Sequence, residues 1–327
     1  MLSKRLSLAL GLPVLFAFVV RFIFGVDSWS SLFSVMTLSF LLLLPSGIGA
    51  LTIYFSKTEN VRSRAYQIFM PWCPVFAFFV LTLMLSTEGW ACWIMALPLF
   101  MLGASLGGLI AGYFKVKGSN EKENLSVSVL VLLPFLCSPL EQLIATIPGT
   151  YQAYTYIDIQ ASKFTIWNNV TSVKAIDSHQ DKGWLTRSLG FPRPIKAELN
   201  YQGVGAYRKA IFDKGLVFHE QVTAYVHEQK MEFSIKAYPH EIPSTTMDKH
   251  VVIGGDYFDV LNGTSELEKL SNTTYRLHLY SHFKLATSFN FYAGWWADWI
   301  MRDIQNNILQ IVKKRAEESK FNITTTR

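Results

Sequence analysis

Five apolar stretches fill the first 147 of the 327 residues, at about 6–26, 32–55, 68–86, 90–114 and 125–147. Each has about the 20 residues that a helix, rising about 1.5 Å per residue, needs to cross a hydrocarbon core of about 30 Å. Charges are nearly absent from them, the exceptions being Arg21 and Glu141, each close to a predicted end. A water-soluble all-α domain would show polar residues at helical period, and these stretches do not. Residues 1–147 therefore read as an all-α membrane domain of about five transmembrane helices, and the rest must fold at the membrane surface.

The connecting loops set the expected orientation. Lys4 and Arg5, then Lys57, Arg62 and Arg64, then Lys115, Lys117 and Lys122 lie on one set of connections, while 27–31 and 87–89 carry no Lys or Arg. Positive charge gathers on the cytoplasmic side. The N-terminus is expected inside the inner (cytoplasmic) membrane, and five crossings leave the C-terminal domain extracytoplasmic. The stretch at 125–147, with Pro134, Pro139 and Glu141, is the weakest of the five, and losing one span would reverse that side. Met1–Arg5 is basic but no small-residue cleavage site follows, so an uncleaved anchor is expected.

Cys73, Cys92 and Cys137 all fall in the apolar stretches, which leaves the C-terminal part without a disulfide. No cysteine pattern suggests a metal site, and no cofactor is expected. Asn169, Asn262, Asn272 and Asn322 begin Asn-x-Thr sequons, relevant only in a secretory pathway. Short loops and absent disulfides point instead to a bacterial protein. The formal charge of +6 divides evenly, with 9 Lys+Arg against 6 Asp+Glu before Thr150 and 21 against 18 from there on. With no basic stripe, nucleic acid is not an expected partner.

Within the membrane part, Gly103, Gly107, Gly108 and Gly112 place small residues four apart twice over. Such a face lets helices approach closely, within the chain by default or between copies of a homo-oligomer. Arg21 and Glu141 would either meet each other, a headgroup or a substrate, or snorkel to the interface. Trp29, Trp72 and Trp90 sit where interfacial anchors belong. No chain of ionisable groups runs through the stretches, so proton-coupled transport is poorly supported.

From Tyr151 the pattern changes. Tyr154–Gln160 alternates as a strand, and Ser162 caps a short helix whose apolar face is Phe164 and Trp167 with Val170 or Val173. A second short helix is predicted at Asp181–Leu189. Strands follow at Lys196–Tyr201, Gly205–Phe212, Leu216–Val226, Lys230–Tyr238, His250–Ile253 with Tyr257–Val260, and Tyr275–Ala286. A long helix at Ala293–Glu318 carries the stripe Trp296, Ile300, Ile304, Ile308 and Ile311, with Trp299 and Val312 beside it. An antiparallel sheet of about six strands must bury one face, and only the terminal helix can cover it.

This element order, with Ile157-Asp-Ile-Gln-Ala-Ser-Lys-Phe-Thr-Ile-Trp167, Gly203-Val-Gly-Ala-Tyr-Arg208 and Gly215-Leu-Val-Phe-His-Glu220-Gln-Val-Thr223, resembles the SRPBCC superfamily, the START and polyketide-cyclase-like group. The resemblance covers about 151–315. It implies an α+β helix-grip domain, a curved antiparallel sheet gripping a long C-terminal helix around a hydrophobic-ligand cavity. The domains expected are thus 1–147, 151–318 and a flexible tail at 319–327. Members include lipid carriers and cyclases, so the fold leaves the chemistry open.

The cavity candidates are Arg208, Phe218, Glu220, Val222, Phe233, Leu279, Phe283, Trp296, Ile300 and Ile304. Arg208 and Glu220 flank the Asp213–Gly215 turn symmetrically, which puts them opposite each other on the apolar face, as a structural ion pair or a group that positions a ligand, whereas a register slip of one residue would turn both to solvent. All seven histidines lie in the C-terminal domain; His278 and His282 are about 13 Å apart along one strand, too far to share an ion. The leading expectation is membrane-anchored binding of a hydrophobic small molecule or lipid. A cyclase- or hydrolase-like enzyme using Arg208, Glu220 or Tyr225 is the alternative, and a structural or interaction role is a third.

Overall fold

The computed structural model describes residues 4–118, 120–144, 148–242 and 252–324. The chain forms two compact units, residues 1–147 with 287–289, and residues 148–286 with 290–327.

The first unit is helical: α1 (Lys4–Phe24), α2 (Leu44–Phe55), α3 (Thr58–Val61), α4 (Arg64–Phe69), α5 (Trp72–Met84), α6 (Trp90–Val116) and α7 (Asn120–Ile144). Among the described residues, four helices, Arg5–Phe24, Arg64–Met84, Trp90–Val116 and Glu121–Ile144, are long and apolar enough to cross a membrane. The expected five long spans are therefore corrected to four, with Ser39–Phe55 a shorter apolar helix. The stretch that falls short is the second, and the doubted fifth is a helix through Ile144 despite Pro134 and Pro139. Of 32–55, only Ser39–Phe55 is helical, entered through one π-helical turn at Ser39–Leu43.

Polar side chains explain where that helix starts. The Glu141 carboxylate accepts from the backbone N–H of Leu38 (2.7 Å) and Ser39 (3.0 Å) and from the Ser39 hydroxyl (2.7 Å). A carboxylate on a helix N-terminus is favoured by the orphan donors and the dipole. Ser138 Oγ likewise donates to the Leu32 carbonyl at 2.9 Å, so the irregular segment before Ser39 has internal partners. Glu141 is thus a cap, and Arg21 pairs with Glu88 instead of with it.

All of Leu44 to Ala50 is buried, so α2 is a central helix, and close approach is what puts it there. A Cβ on Gly107 would overlap the Ser46 carbonyl of α2, and one on Gly49 would overlap the Ala104 carbonyl of α6. Gly103 faces Leu42 and Pro45, while Gly108 and Gly112 face Gln67. The glycine face meets neighbours in its own chain.

The second unit is a seven-stranded antiparallel curled sheet with a long C-terminal helix. Its elements are β1 (Gly149–Ile159), α8 (Lys163–Thr171), α9 (Trp184–Leu189), β2 (Pro194–Leu199), β3 (Tyr207–Phe212), β4 (Val217–Val226), β5 (Lys230–Lys236), β6 (Phe258–Lys269), β7 (Tyr275–Leu285) and α10 (Asn290–Thr324). Strand order is β1-β7-β6-β5-β4-β3-β2, so α8 and α9 bridge the two edges. The expected tail from 319 is helical through Thr324.

Three details differ from the sequence reading. In α8 the buried face is Ile166, Trp167 and Val170, while Phe164 is exposed. The strand at Tyr257–Val260 continues to Lys269 as β6, which adds the seventh strand, and Ile253 contributes only an isolated bridge to Phe258. His250 lies outside the described residues. In α10 Trp296, Ile311 and Val312 of the predicted face are buried, together with Met301, Gln305, Leu309 and Ala316, while Ile300, Ile304 and Ile308 are only part-buried. Gln305 can sit there because its amide is satisfied: it accepts from Thr155 Oγ1 (3.0 Å) and donates to Ser281 Oγ (2.9 Å) and the Ala153 carbonyl (3.3 Å).

Candidate functional site

The β3–β4 hairpin builds the polar part of the site. Asp213-Lys-Gly215 turns with Lys214 at φ 54° and Gly215 at φ 83°, left-handed values that suit glycine and set the register. In that register Arg208 pairs with Glu220 across the strands, and both side chains point into the domain. Arg208 forms an ion pair with Glu220, its Nε donates to the Thr171 carbonyl at 3.1 Å, and its guanidinium lies 5.3 Å over the Phe233 ring. Burial pushes the Glu220 carboxyl above the ordinary carboxylate range and outweighs the opposing pull of Arg208.

Between this sheet face and α10 lies a cavity of about 160 Å³. Its wall includes Arg208, Glu220, Phe218 and Phe233 from β3–β5, Leu279 from β7, and Ile300 and Ile304 from α10. From α10, Ile308, Met301, Gln305, Leu309 and Val312 also line it, with Ile300, Ile304 and Ile308 part-buried and the others buried. The other three predicted positions are elsewhere. Val222 and Phe283 are fully packed core, and Trp296 stacks on Trp299 outside the wall. Tyr225 is also outside it, its hydroxyl accepting from Trp167 Nε1 and donating to Gln202, both at 3.0 Å.

Sequence reasoning passed over Ser265, Ser281 and Gln305, which add neutral polar groups to the wall. A signal was present for Ser281, which sits on the apolar face of its strand between Leu279 and Phe283. Gln305 lies off the unbroken series Ile300, Ile304 and Ile308 and gives no such signal. A lone polar residue on a buried face marks either a network or a ligand contact.

His278 and His282 lie on the outer face of the sheet and engage neighbours. His278 is 2.8 Å from Tyr154 Oη and 3.1 Å from Glu268, and His282 is 2.8 Å from Asn262 Oδ1. Among the described residues, no group of three or more His, Cys, Asp or Glu is placed to hold a metal ion.

Neither a family model nor a curated protein matches the chain. Solved structures do match over its C-terminal half. A START superfamily protein from Mycobacterium smegmatis is 10% identical, with 52% of this chain and 99% of that one covered and a TM-score of 0.33. The Zhui aromatase/cyclase of a Streptomyces species is 13% identical, with 52% and 94% covered and a TM-score of 0.32. Norcoclaurine synthase from Thalictrum flavum, in complex with dopamine and hydroxybenzaldehyde, is 12% identical, with 52% and 88% covered and a TM-score of 0.29. At such scores the likeness assigns neither activity nor ligand. The helix-grip arrangement rests on the strand order and on the helix described above.

Proposed function

We propose that this chain is a membrane-anchored member of the helix-grip group whose C-terminal domain binds a small hydrophobic molecule. The observation that carries this reading is the largely apolar cavity whose wall also holds Arg208, Glu220, Ser265, Ser281 and Gln305. Its size narrows the ligand. About 160 Å³ is close to the roughly 150 Å³ of an engineered cavity that takes up benzene, and below the about 300 Å³ at which drug-sized sites begin. A single ring or a short acyl chain fits, and a diacyl lipid enters only by part of one chain. Because Arg208 and Glu220 neutralise each other, the polar groups of the wall suit a hydroxyl or carbonyl better than a charged head. Tethering at a membrane raises the local concentration of any ligand dissolved there.

Native mass spectrometry of the full-length protein released from nanodiscs tests this, with 4-propylphenol as probe. A one-to-one adduct is expected, and Ile304→Trp, which puts bulk into the cavity, should abolish it. An empty protein at saturating probe, or an adduct indifferent to Ile304→Trp, would sink the reading. A second reading, a cyclase- or hydrolase-like enzyme, is favoured by the raised proton affinity of Glu220, which suits a general acid.

The loop charges support an extracytoplasmic domain if the short helix Ser39–Phe55 also crosses. Its 17 residues sit at the low end of the roughly 17–25 that span, and only with that crossing do Lys57, Arg62 and Arg64 fall on the same side as Lys4 and Arg5. Trypsin added to intact spheroplasts should then cut the domain beyond residue 148. Protection until the inner membrane is breached would place the domain inside.

A further inference from the structure

The first turns of α10 are unusually aromatic, with Phe291, Tyr292, Trp295, Trp296 and Trp299 within nine residues. Phe291, Trp295 and Trp299 recur every four residues and so share one face, which the fold leaves 72%, 58% and 36% exposed. Trp184 of α9, 60% exposed, extends that face: its ring centroid is 5.7 Å from that of Trp299, which is 5.6 Å from that of Trp295. Scattered exposed apolar residues are ordinary, but a contiguous set of large aromatics marks a contact surface.

Chain connection identifies the occupant. Gly149 pairs with Leu285, five residues before α10 begins, and Gly294 packs so closely on Tyr151 that an added Cβ would lie 3.3 Å from its ring. Tyr151 follows Ile144, the last described residue of the apolar helix α7, by seven residues. Seven residues reach at most about 25 Å. The aromatic face is therefore at the end of the domain tied to the bilayer. Indole, with an apolar body and one N–H donor, prefers the headgroup layer to both water and hydrocarbon. Exposed Lys182 and Arg187 flank Trp184 and suit lipid phosphates, while the nearby Asp298 is paired with Arg302.

We propose that the face formed by Phe291, Trp295, Trp299 and Trp184 docks into the headgroup layer of the bilayer that anchors the chain. Docking there sets the neighbouring Ile300 and the Phe191–Pro192 part of the cavity wall beside the lipid surface, where a hydrophobic ligand partitions. The inference rests on membrane anchoring, not on occupancy of the cavity.

The test uses the full-length protein with Cys73, Cys92 and Cys137 replaced by serine and one new thiol, Phe291→Cys, carrying a nitroxide. Glu198→Cys on β2, at the opposite edge of the sheet from β1, is the aqueous control. The protein is reconstituted into phosphatidylcholine–phosphatidylglycerol vesicles, and collision with oxygen is compared with collision with a water-soluble nickel chelate. The label at 291 should favour oxygen severalfold and the label at 198 should favour nickel. Adding Trp295→Ser and Trp299→Ser should shift the label at 291 toward the control. Equal nickel access at both positions overturns the docking. Shielding from both reagents with dipolar broadening also overturns it, in favour of a second copy on this face. Failure of the protein to float with the vesicles removes the anchoring premise itself, so the two failures are distinguishable.

Discussion

Glu220→Leu should destabilise the C-terminal domain by about 3–5 kcal/mol, whereas Arg208→Met should cost less, about 1–3 kcal/mol. The asymmetry follows from which charge is left behind. Without Glu220, a buried guanidinium that cannot be deprotonated keeps, among the described residues, the Thr171 carbonyl and the Phe233 ring as partners. Without Arg208, the stranded carboxyl can take up a proton, which burial already favours. Replacing both, Arg208→Met with Glu220→Leu, leaves no charge to desolvate and should fall near wild type or above it. Amide exchange in β3 and β4 of the full-length protein reads the effect where it arises.

The pH dependence separates these variants further. A carboxyl whose folded pKa is raised contributes its stability below the unfolded value, about 4.3, and loses it as pH rises through the folded value. Arg208→Met removes the one nearby pull in the opposite direction, so its deficit against the double variant should grow with rising pH. The Glu220→Leu deficit should stay flat over the same range. If Glu220→Leu proves the milder change, or if neither deficit moves with pH, the carboxyl is not desolvated as described.

The residues that were legible were those governed by local rules. Arg208 and Glu220 could be paired in advance because a three-residue turn with glycine at a left-handed position fixes register by itself. Ser162 behaves as the expected cap, accepting from the Thr165 N–H. What escaped was set by distant partners. Hydropathy alone makes 32–38 continuous with the helix that follows, and Glu141, about a hundred positions away, starts that helix at Ser39 together with Thr37 Oγ1, which accepts from the Phe40 N–H. Gln305 reads as the polar side of α10 until Thr155 and Ser281 satisfy it, so its place on the buried face was missed. Residues 261–269 were missed as strand because Asn262, Gly263 and a run of charged residues conceal the period of two. They pair because β5 and β7 flank them on both sides.

Substitutions along the glycine face of α6 should rank by what each new side chain meets. Gly107→Ala and Gly49→Ala place a methyl onto a backbone carbonyl of the facing helix, Ser46 and Ala104 respectively, and backbone cannot swing aside. The α2 and α6 axes must separate, which breaks the dispersion contacts that hold helices together in lipid, where no hydrophobic drive between helices exists. A cost of about 1–3 kcal/mol for each alanine, and more for leucine, follows from overpacking. Gly108→Ala meets the Gln67 carbonyl and belongs with these two. Gly112→Ala meets only the Gln67 side chain, which can move once its hydrogen bond to the Val61 carbonyl is given up, so it should cost less. Gly11→Ala, with nothing within 4 Å of the added carbon, is the control and should be neutral or slightly stabilising. Unfolding of the full-length protein in mild detergent, with size-exclusion mass measured alongside, decides the matter. Gly107→Leu with Gly108→Leu should abolish the folded monomer. If the monomer survives and only an oligomer is lost, the face serves a second copy, and the α2–α6 contact is not what holds the helical unit together.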